Sequence, residues 1–290
     1  MNNAHRRYLK SGWQAGRGYK LVIPREALSH RQGYHSGNTG GESTEFRDFR
    51  NYQPGDDLRH IDWRIYGRSD KLMLKLYQEE VTPHADILID GSRSMTLKGT
   101  ERLRAALGLA AFMGTSALNA KCTCRAWLAG SGCTEIENSS VHPSGWGQIT
   151  FESDLILPEA FTILPPRWCR RGIRILLSDL LFPGDPQNML SHMAEGASAV
   201  YIIQILTKTD LMPPFRGNVT VEDSETGETS ELFFDEHMRQ QYLAALDTHQ
   251  QNWHNAALRN GALMVTFTAE DLVENWDMNP LEKNGILDIA

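Results

Sequence analysis

The sequence lacks the features that mark several large classes of protein. No apolar run approaches the ~18 residues needed to cross a bilayer. No apolar segment follows the basic residues near the N-terminus, so we predict neither a membrane span nor a signal peptide. Acidic residues outnumber basic ones, 36 to 29, which argues against a protein that binds nucleic acid by neutralising phosphates. We therefore expect a cytoplasmic protein with no nucleic-acid ligand.

Cysteine is scarce, and the common catalytic motifs are missing. The four cysteines lack the close Cys-x-x-Cys or Cys/His spacing of a zinc site, so we predict reduced thiols. The chain contains no Gly-x-Ser-x-Gly elbow, His-Glu-x-x-His, Walker loop or Gly-x-Gly-x-x-Gly after a strand. No residue identifies itself as a catalytic base. We predict that the protein is not an enzyme.

What is present is an alternation of strand and helix patterns. Short apolar runs predict buried strands at residues 86–90, 173–178 and 199–206, and longer patterns predict helices over 100–117, 153–164 and 235–259. This alternation predicts an α/β fold with a doubly wound, mostly parallel sheet. A hairpin insertion is predicted at about residues 215–235. We predict two regions, a β-rich N-terminal extension over residues 1–81 and the α/β domain over residues 82–290.

Two of the apolar runs end in an aspartate. Asp90 ends the first run, Gly91 lets the chain turn, and Ser92 and Ser94 follow at alternate positions. These oxygens would lie at the carboxyl end of a strand, where open α/β sheets bind ligands. Asp179 ends the second run and would add another carboxylate. Carboxylates with hydroxyls suit Mg²⁺ or Mn²⁺. The alternative is that these residues only cap the following turns and helices, and that the loop holds no metal.

Residues 90–94 resemble the Asp-x-Ser-x-Ser signature of the metal-ion-dependent adhesion site in von Willebrand factor A domains. The resemblance implies that Asp179 completes the metal shell, usually through water. It also implies a middle-loop Thr, typically in Gly-Gly-Thr-Asp-Leu. The best match is Ser153-Asp154-Leu155, in which Ser153 replaces the Thr and residues 151–152 replace the glycines. Thr150 is the other candidate for this position.

The segment over residues 33–68 interleaves acids, bases and aromatic rings, which predicts local ion pairs around buried rings. Alternation over residues 71–77 predicts a strand after it. The ordered series in this segment is similar to domain-of-unknown-function family 58, in which it precedes a von Willebrand-type strand and an Asp-x-Ser-x-Ser loop. The matching positions are Gly33, His35, Ser36, Glu45, Phe46, Arg50, Tyr52, Gly55, Asp56, Asp57, Arg59, Ile61, Asp62, Trp63 and Arg68.

This family resemblance covers roughly residues 30 to 280 and implies a non-enzymatic interaction module. A bound Mg²⁺ or Mn²⁺ would keep an open position for an acidic residue of a partner, either a MoxR-type AAA+ ATPase or another protein, in chaperone-like assembly or metal insertion. The metal ligands would be Asp90, Ser92, Ser94, Ser153 and Asp179. The residues of the charged segment that would form scaffold or a second contact surface are Arg50, Asp56, Asp57, Arg59, Asp62 and Arg68. The alternative function is a metal-dependent hydrolase in which the same cation activates water.

Overall fold

The computed structural model describes residues 3–28, 44–79, 82–151, 153, 155–224 and 227–290. The motif positions Gly33, His35 and Ser36 lie outside these residues. Two compact units are present: residues 1–27 together with 83–290 form the first, and residues 28–82 form the second. No helix of the described ranges is both long and apolar enough to cross a membrane.

The helices and strands of the described residues are numbered in chain order. The helices are α1 (Asn3–Gly16), α2 (Arg25–Leu28), α3 (Trp63–Ser69), α4 (Arg102–Asn119), α5 (Leu157–Ile163), α6 (Gln187–Ala194), α7 (Lys208–Leu211), α8 (Glu236–Arg259), α9 (Ala269–Asn275) and α10 (Asn279–Lys283). The strands are β1 (Tyr19–Leu21), β2 (Thr44–Asn51), β3 (Met73–Glu79), β4 (His84–Asp90), β5 (Thr123–Ala129), β6 (Cys133–Glu135), β7 (Ile173–Ser178), β8 (Ala199–Leu206), β9 (Gly217–Glu222), β10 (Thr229–Phe234), β11 (Leu263–Thr268) and β12 (Leu287–Ile289).

The first unit is built on a six-stranded sheet in the order β11-β8-β7-β4-β5-β6. Neighbouring strands are parallel except β6, which runs antiparallel to β5 at one edge. After β4 the chain adds strands on one side of it, and from β7 onward it adds them on the other. The strand order therefore reverses between β4 and β7, and the predicted α/β fold with a mostly parallel sheet is confirmed.

Side-chain alternation along the strands divides the core between the two faces of this sheet. Ile87 and Ile89 of β4 pack in the cluster that includes residues of α1, α4 and α9. Leu88, between them, packs in the cluster that includes residues of α5, α6 and α8. Because β4 is buried on both faces, it reads as a continuous apolar run in the sequence.

Helix α4 is buried over nearly its whole length, although the sequence predicted a single apolar stripe. Residues 105–117 are all buried. One side of α4 packs towards the sheet, and α1 covers the other, so neither side of this stretch needs polar residues. The weakly patterned N-terminal residues thus form a helix that the sequence did not predict.

The N-terminal residues also join the α/β unit through a small second sheet. Strand β1 pairs antiparallel with β12, with Tyr19 opposite Ile289 and Leu21 opposite Leu287. The structure therefore divides the chain differently from the predicted extension over residues 1–81, because residues 3–27 pack on the α/β unit and only residues 28–82 form a separate one. The apolar pattern over residues 263–267 predicts the last strand of the chain, but β12 follows the corresponding strand β11.

Gly12 of α1 lies directly against the backbone of Gly108 in α4. A Cβ atom at position 12 would stand 1.8 Å from the carbonyl oxygen of Gly108, and a backbone atom cannot turn away as a side chain can. We expect Gly12→Ala to lower the free energy of unfolding by about 1–3 kcal/mol, measured by urea denaturation, even though alanine is the better helix former. In the control, Gly18→Ala, the new Cβ meets nothing within 4 Å, so stability should not change. Equal stability of the two variants would contradict this helix packing.

Element boundaries differ from prediction where capping and packing decide them. Helix α4 begins at Arg102 with Glu101 at its N-cap, rather than at Thr100. Helix α5 covers only Leu157–Ile163, because the backbone of its N-cap residue Ile156 is extended and Pro158 lies in its first turn. The hairpin of β9 and β10 is confirmed, with Val219 opposite Leu232.

The second unit is a hairpin with a helix in its connection. Strands β2 and β3 pair antiparallel with a register shift between Phe46 and Asp48, and α3 lies between them in the chain. Ile61 and Leu74 are buried. The predicted burial of the aromatic rings is wrong for Trp63, which is 62% exposed and whose ring lies perpendicular to that of Tyr66, with the ring centroids 6.1 Å apart.

Candidate metal centre

The two aspartates predicted to bind metal lie at the ends of adjacent parallel strands. Asp90 is the last residue of β4, and Asp179 directly follows Ser178, the last residue of β7. Strands β4 and β7 are neighbours at the point where the strand order reverses. In open α/β sheets this is where the loops separate and leave room for a ligand.

Asp90 is completely buried, and both of its carboxylate oxygens accept hydrogen bonds. Ser178 Oγ donates to Oδ2 at 2.5 Å, and the Ser92 backbone N–H donates to Oδ1 at 3.0 Å. Burial, and to a lesser extent the nearby charge of Asp179, raise the pKa of Asp90 to about 6, although the hydrogen bonds from Ser178 and Ser92 oppose the change. The two carboxylates therefore lie close enough to repel each other, which a cation between them would relieve.

The serine hydroxyls after Asp90 lie next to each other. Ser92 is buried and Ser94 is half-buried, and their Oγ atoms are 3.0 Å apart. Gly91 permits this loop by a close approach rather than by a left-handed turn, because a Cβ there would stand 2.5 Å from the carbonyl oxygen of Ala129. The loop thus presents one carboxylate and two hydroxyls, a donor set that suits a hard divalent cation.

Asp179 is held by a buried arginine that the sequence did not identify. Arg102 Nη1 donates to Asp179 Oδ2 at 2.6 Å and to the Ser94 carbonyl oxygen at 2.9 Å, and its Nη2 donates to Asp210 Oδ2 at 2.6 Å. The side chains of Arg102 and Asp179 are each only 2% exposed. One guanidinium therefore connects the loops that follow β4, β7 and β8.

The backbone after Asp179 is strained. Leu180 has a φ of 60°, in the left-handed region that a bulky side chain rarely adopts. Its N–H donates to Ser178 Oγ at 2.9 Å, and its carbonyl oxygen accepts from His249 Nε2 at 2.6 Å. Strain of this kind is found where the surrounding structure enforces a functional geometry.

The two candidates for the middle-loop hydroxyl, Ser153 and Thr150, differ in burial. Ser153 is buried, and its Oγ accepts from the Leu155 N–H at 3.0 Å, whereas Thr150 is exposed. A Cβ at Gly130, just beyond the end of β5, would lie 3.9 Å from the Cβ of Ser153. Ser153 therefore lies near the same edge of the sheet as the Asp90 loop.

No group of three or more His, Cys, Asp and Glu side chains that could hold a metal ion occurs within the described ranges. A cation at this edge would depend on Asp90 and Asp179 together with hydroxyl and water ligands. This is the mixed donor set predicted from the sequence. The four cysteines are free, and burial raises the pKa of Cys122 to about 11 and of Cys133 to about 12.

The charged segment of the second unit forms local pairs, as predicted. Arg50 binds Asp56 through two hydrogen bonds of 2.8 Å, and Asp56 also accepts from the Gln53 N–H. Exposed Arg59 pairs with Asp57, which holds the pKa of Asp57 at about 2.

Asp62 caps α3 through the N–H groups of Arg64 and Ile65 and pairs with Lys75 at 3.1 Å. Arg68 is exposed in the last turn of α3. The aspartates of this segment thus support the turn and the helix, and the exposed cations Arg59 and Arg68 face solvent.

A known protein family matches both the charged segment of the second unit and the Asp90 loop. The family described as "Protein of unknown function DUF58" matches residues 48–135 and 152–252, which is more than half of the chain. The chain belongs to the DUF58 family. The predicted family resemblance is thereby confirmed.

Relatives of this DUF58 protein include two mycobacterial sequences. "Uncharacterized protein Rv1480" of Mycobacterium tuberculosis and "Uncharacterized protein Mb1516" of Mycobacterium bovis are each 24% identical over 247 residues, covering 80% of this chain and 76% of theirs. Among solved structures, BatB from Bacteroides thetaiotaomicron aligns with 14% identity and a TM-score of 0.33, over 66% of this chain and 96% of that one. An aerotolerance-related membrane protein from Bacteroides fragilis aligns with 15% identity and a TM-score of 0.34, over 69% and 99% of the two chains.

Sequence reasoning about this DUF58 chain missed Arg102, Ser178 and Asp210. Arg102 begins a mostly apolar helix, and an arginine there is a recognisable signal, although Arg104 follows two residues later. Asp210 follows Thr207 by three residues after a buried strand, which is the spacing of a capping box. Ser178 precedes Asp179 directly. None of these signals indicates that the three side chains meet at one edge of the sheet.

Proposed function

We propose that this DUF58 protein is a metal-dependent protein-interaction module. Asp90, Ser92, Ser94 and Asp179 hold Mg²⁺ or Mn²⁺, with Ser153 as the middle-loop hydroxyl, and an open coordination position binds a carboxylate of a partner. The observation that carries the proposal is the pair of buried aspartates at the ends of adjacent parallel strands, next to two hydroxyls. The resemblance of residues 90–94 to the von Willebrand adhesion site supports the same reading.

The donor chemistry supports a hard divalent cation. The ligand set offers only oxygen atoms, which suit Mg²⁺ or Mn²⁺ and give little to softer metals. Burial raises the pKa of Asp90, and the charge of the second buried carboxylate, Asp179, adds to that rise. A bound cation would supply the neutralising charge, and a partner carboxylate would complete its coordination with a charge-assisted bond.

The surface after the site supports a protein partner rather than a small ligand. Residues 212–215 follow α7, which carries Asp210, and the side chains of Met212 and Phe215 are 66% and 49% exposed. Phe233 of the following hairpin is 63% exposed. Exposed apolar side chains grouped in this way are typical of protein interaction surfaces.

We propose a MoxR-type AAA+ ATPase, or another cytoplasmic protein that offers an acidic side chain, as the partner. In this proposal the protein has no turnover of its own, and the charged segment from Arg50 to Arg68 serves as scaffold or as a second contact surface. Metal-dependent turnover of phosphoesters that disappears in Asp90→Ala would contradict the proposal and favour hydrolysis.

The test is metal binding and metal-dependent partner binding by Ser92→Ala. Removing the Ser92 hydroxyl takes away one ligand, so we expect Mn²⁺ affinity to fall at least about tenfold, measured by calorimetric titration. Binding to a purified MoxR-type ATPase should weaken in parallel and disappear for the native protein when a chelator is added. The control is Ser140→Ala, because Ser140 is exposed and lies in a turn before residue 143. Native protein that binds neither cation would overturn the proposal.

A further inference from the structure

Arg102 is a permanent cation at the site where the proposed function requires a metal. Its Nη1 donates at 2.6 Å to Asp179 Oδ2, and the other oxygen of Asp179 accepts from the Leu181 N–H at 3.0 Å. Both oxygens of the second carboxylate therefore have donors already. Any divalent cation that uses Asp179 must share it with the guanidinium.

Asp210 holds the other side of the guanidinium and is itself firmly fixed. Its Oδ2 accepts from the Thr207 N–H at 2.7 Å and from Thr207 Oγ1 at 2.8 Å, in addition to Arg102 Nη2 at 2.6 Å. The hydroxyl of Tyr242 donates to the Asp210 carbonyl oxygen at 2.8 Å. Asp210 thus stays in place without Arg102, and it offers the guanidinium a partner that is independent of Asp179.

The cluster of Arg102 with Asp90, Asp179 and Asp210 has a net negative charge that a second cation would neutralise. Asp90, Asp179 and Asp210 carry three negative charges when ionised, and Arg102 carries one positive charge. Arg102 Nε is buried and has no hydrogen-bond acceptor among the described residues, so two of the three guanidinium nitrogens hold the group. A buried cluster with excess negative charge attracts a divalent ion, and a positive charge beside the same carboxylate repels it.

We infer that Arg102 competes with the divalent cation for Asp179 and thereby sets the metal affinity of the site, and that Asp210 retains the guanidinium when the metal takes Asp179. This inference rests on the proposed function, because it concerns the same metal site. It gives Arg102 a regulatory role: any partner contact that draws the guanidinium towards Asp210 strengthens metal binding.

The test compares Mn²⁺ affinity in Arg102→Gln and in the double variant Arg102→Gln/Asp210→Asn. Loss of the guanidinium should strengthen Mn²⁺ binding at least about tenfold in both, measured by calorimetric titration at pH 7.5. The double variant has the same formal charge in this cluster as the native protein, so tighter binding there identifies the contact with Asp179 rather than the overall charge as the cause. It also removes the carboxylate that Arg102→Gln leaves unpaired, which protects the fold.

The matched control is Arg104→Gln, two residues further along α4. Arg104 pairs with Glu101 at 3.3 Å, and its side chain is 41% exposed, so its loss should leave Mn²⁺ affinity unchanged. Unchanged or weaker binding in the folded double variant, with normal binding by native protein, would overturn the role of Arg102 alone. No binding by the native protein or by any variant would overturn the proposed function itself.

Discussion

Asparagine in place of Asp90 is expected to stabilise the metal-free protein and to remove its response to metal. The pKa of Asp90 rises from 3.8 to about 6 in the folded protein, chiefly because the carboxyl group is fully buried. At pH 7.5 the buried carboxylate of Asp90 is therefore ionised in the folded state, and its burial costs free energy. Removing that charge should raise the free energy of unfolding by on the order of 3 kcal/mol in the presence of a chelator.

The pH dependence has a definite sign. Because folded protein binds this proton more tightly than the unfolded chain does, the contribution of Asp90 favours folding at low pH and declines as the pH rises from about 4 to about 6. The difference in unfolding free energy between native protein and Asp90→Asn should therefore grow over this range and then level off. Urea denaturation at several pH values measures it. The control is Asp288→Asn, since Asp288 is exposed, pairs with Lys20 and accepts a hydrogen bond from the adjacent Ile289 N–H.

Metal should reverse the order of stability. A cation at 1,000 times its Kd stabilises the native protein by about 4.1 kcal/mol, which exceeds the advantage of the variant in chelator and raises the melting temperature of the native protein. Asp90→Asn lacks the central carboxylate and should not respond. Thermal melts with and without Mg²⁺ separate the two effects. A variant that is less stable than native protein in chelator at pH 7.5 would show that Asp90 is structural, and an equal Mg²⁺ response in both proteins would show that it is not a ligand.

Replacing Asp86 with alanine should destabilise the protein by about 3–5 kcal/mol. Asp86 is completely buried and accepts from Trp127 Nε1 at 2.9 Å, from the Cys169 N–H at 2.9 Å and from His84 Nε2 at 3.2 Å. Its register partner on β7 is Arg174, which is also buried. Burial lowers the pKa of Arg174, and the charge of Asp86 opposes that change. Loss of the carboxylate leaves three donors without this acceptor. It also removes a negative charge that favours the buried Arg174 cation, which keeps its hydrogen bonds to the carbonyl oxygens of His192 and Met193.

The comparison variant for Asp86 is again at Asp288. The Lys20–Asp288 pair is 3.5 Å long between side chains that are 44% and 62% exposed, so Asp288→Ala should change stability by less than about 1 kcal/mol. Denaturation curves of the two variants, with circular dichroism to confirm folding, provide the measurement. If Asp86→Ala loses no more stability than Asp288→Ala, the buried network of β4 and β7 does not hold the sheet as described.

The sequence by itself determined the features that depend on short stretches of chain. Strand periods, the position of Asp90 and Asp179 at strand ends and the β9–β10 hairpin follow from local patterns. So do two ion pairs of the second unit, because Arg50 and Asp56 are six residues apart and Asp57 and Arg59 only two. Both partners of such a contact lie within one short stretch of sequence, so the pattern of that stretch is enough to predict the contact.

Only the tertiary structure decided which distant groups meet at the candidate site. Arg102 lies 77 residues from Asp179 and 108 from Asp210, and Ser178 lies 88 from Asp90. The same holds for α1. Its weak sequence pattern did not predict a helix, and only the structure shows that Gly12 packs closely on the backbone of Gly108 in α4. The periodicity of a segment indicates which of its faces is buried, but not which other element covers that face. The contacts between elements depend on the order of the strands in the sheet, which the local pattern does not contain.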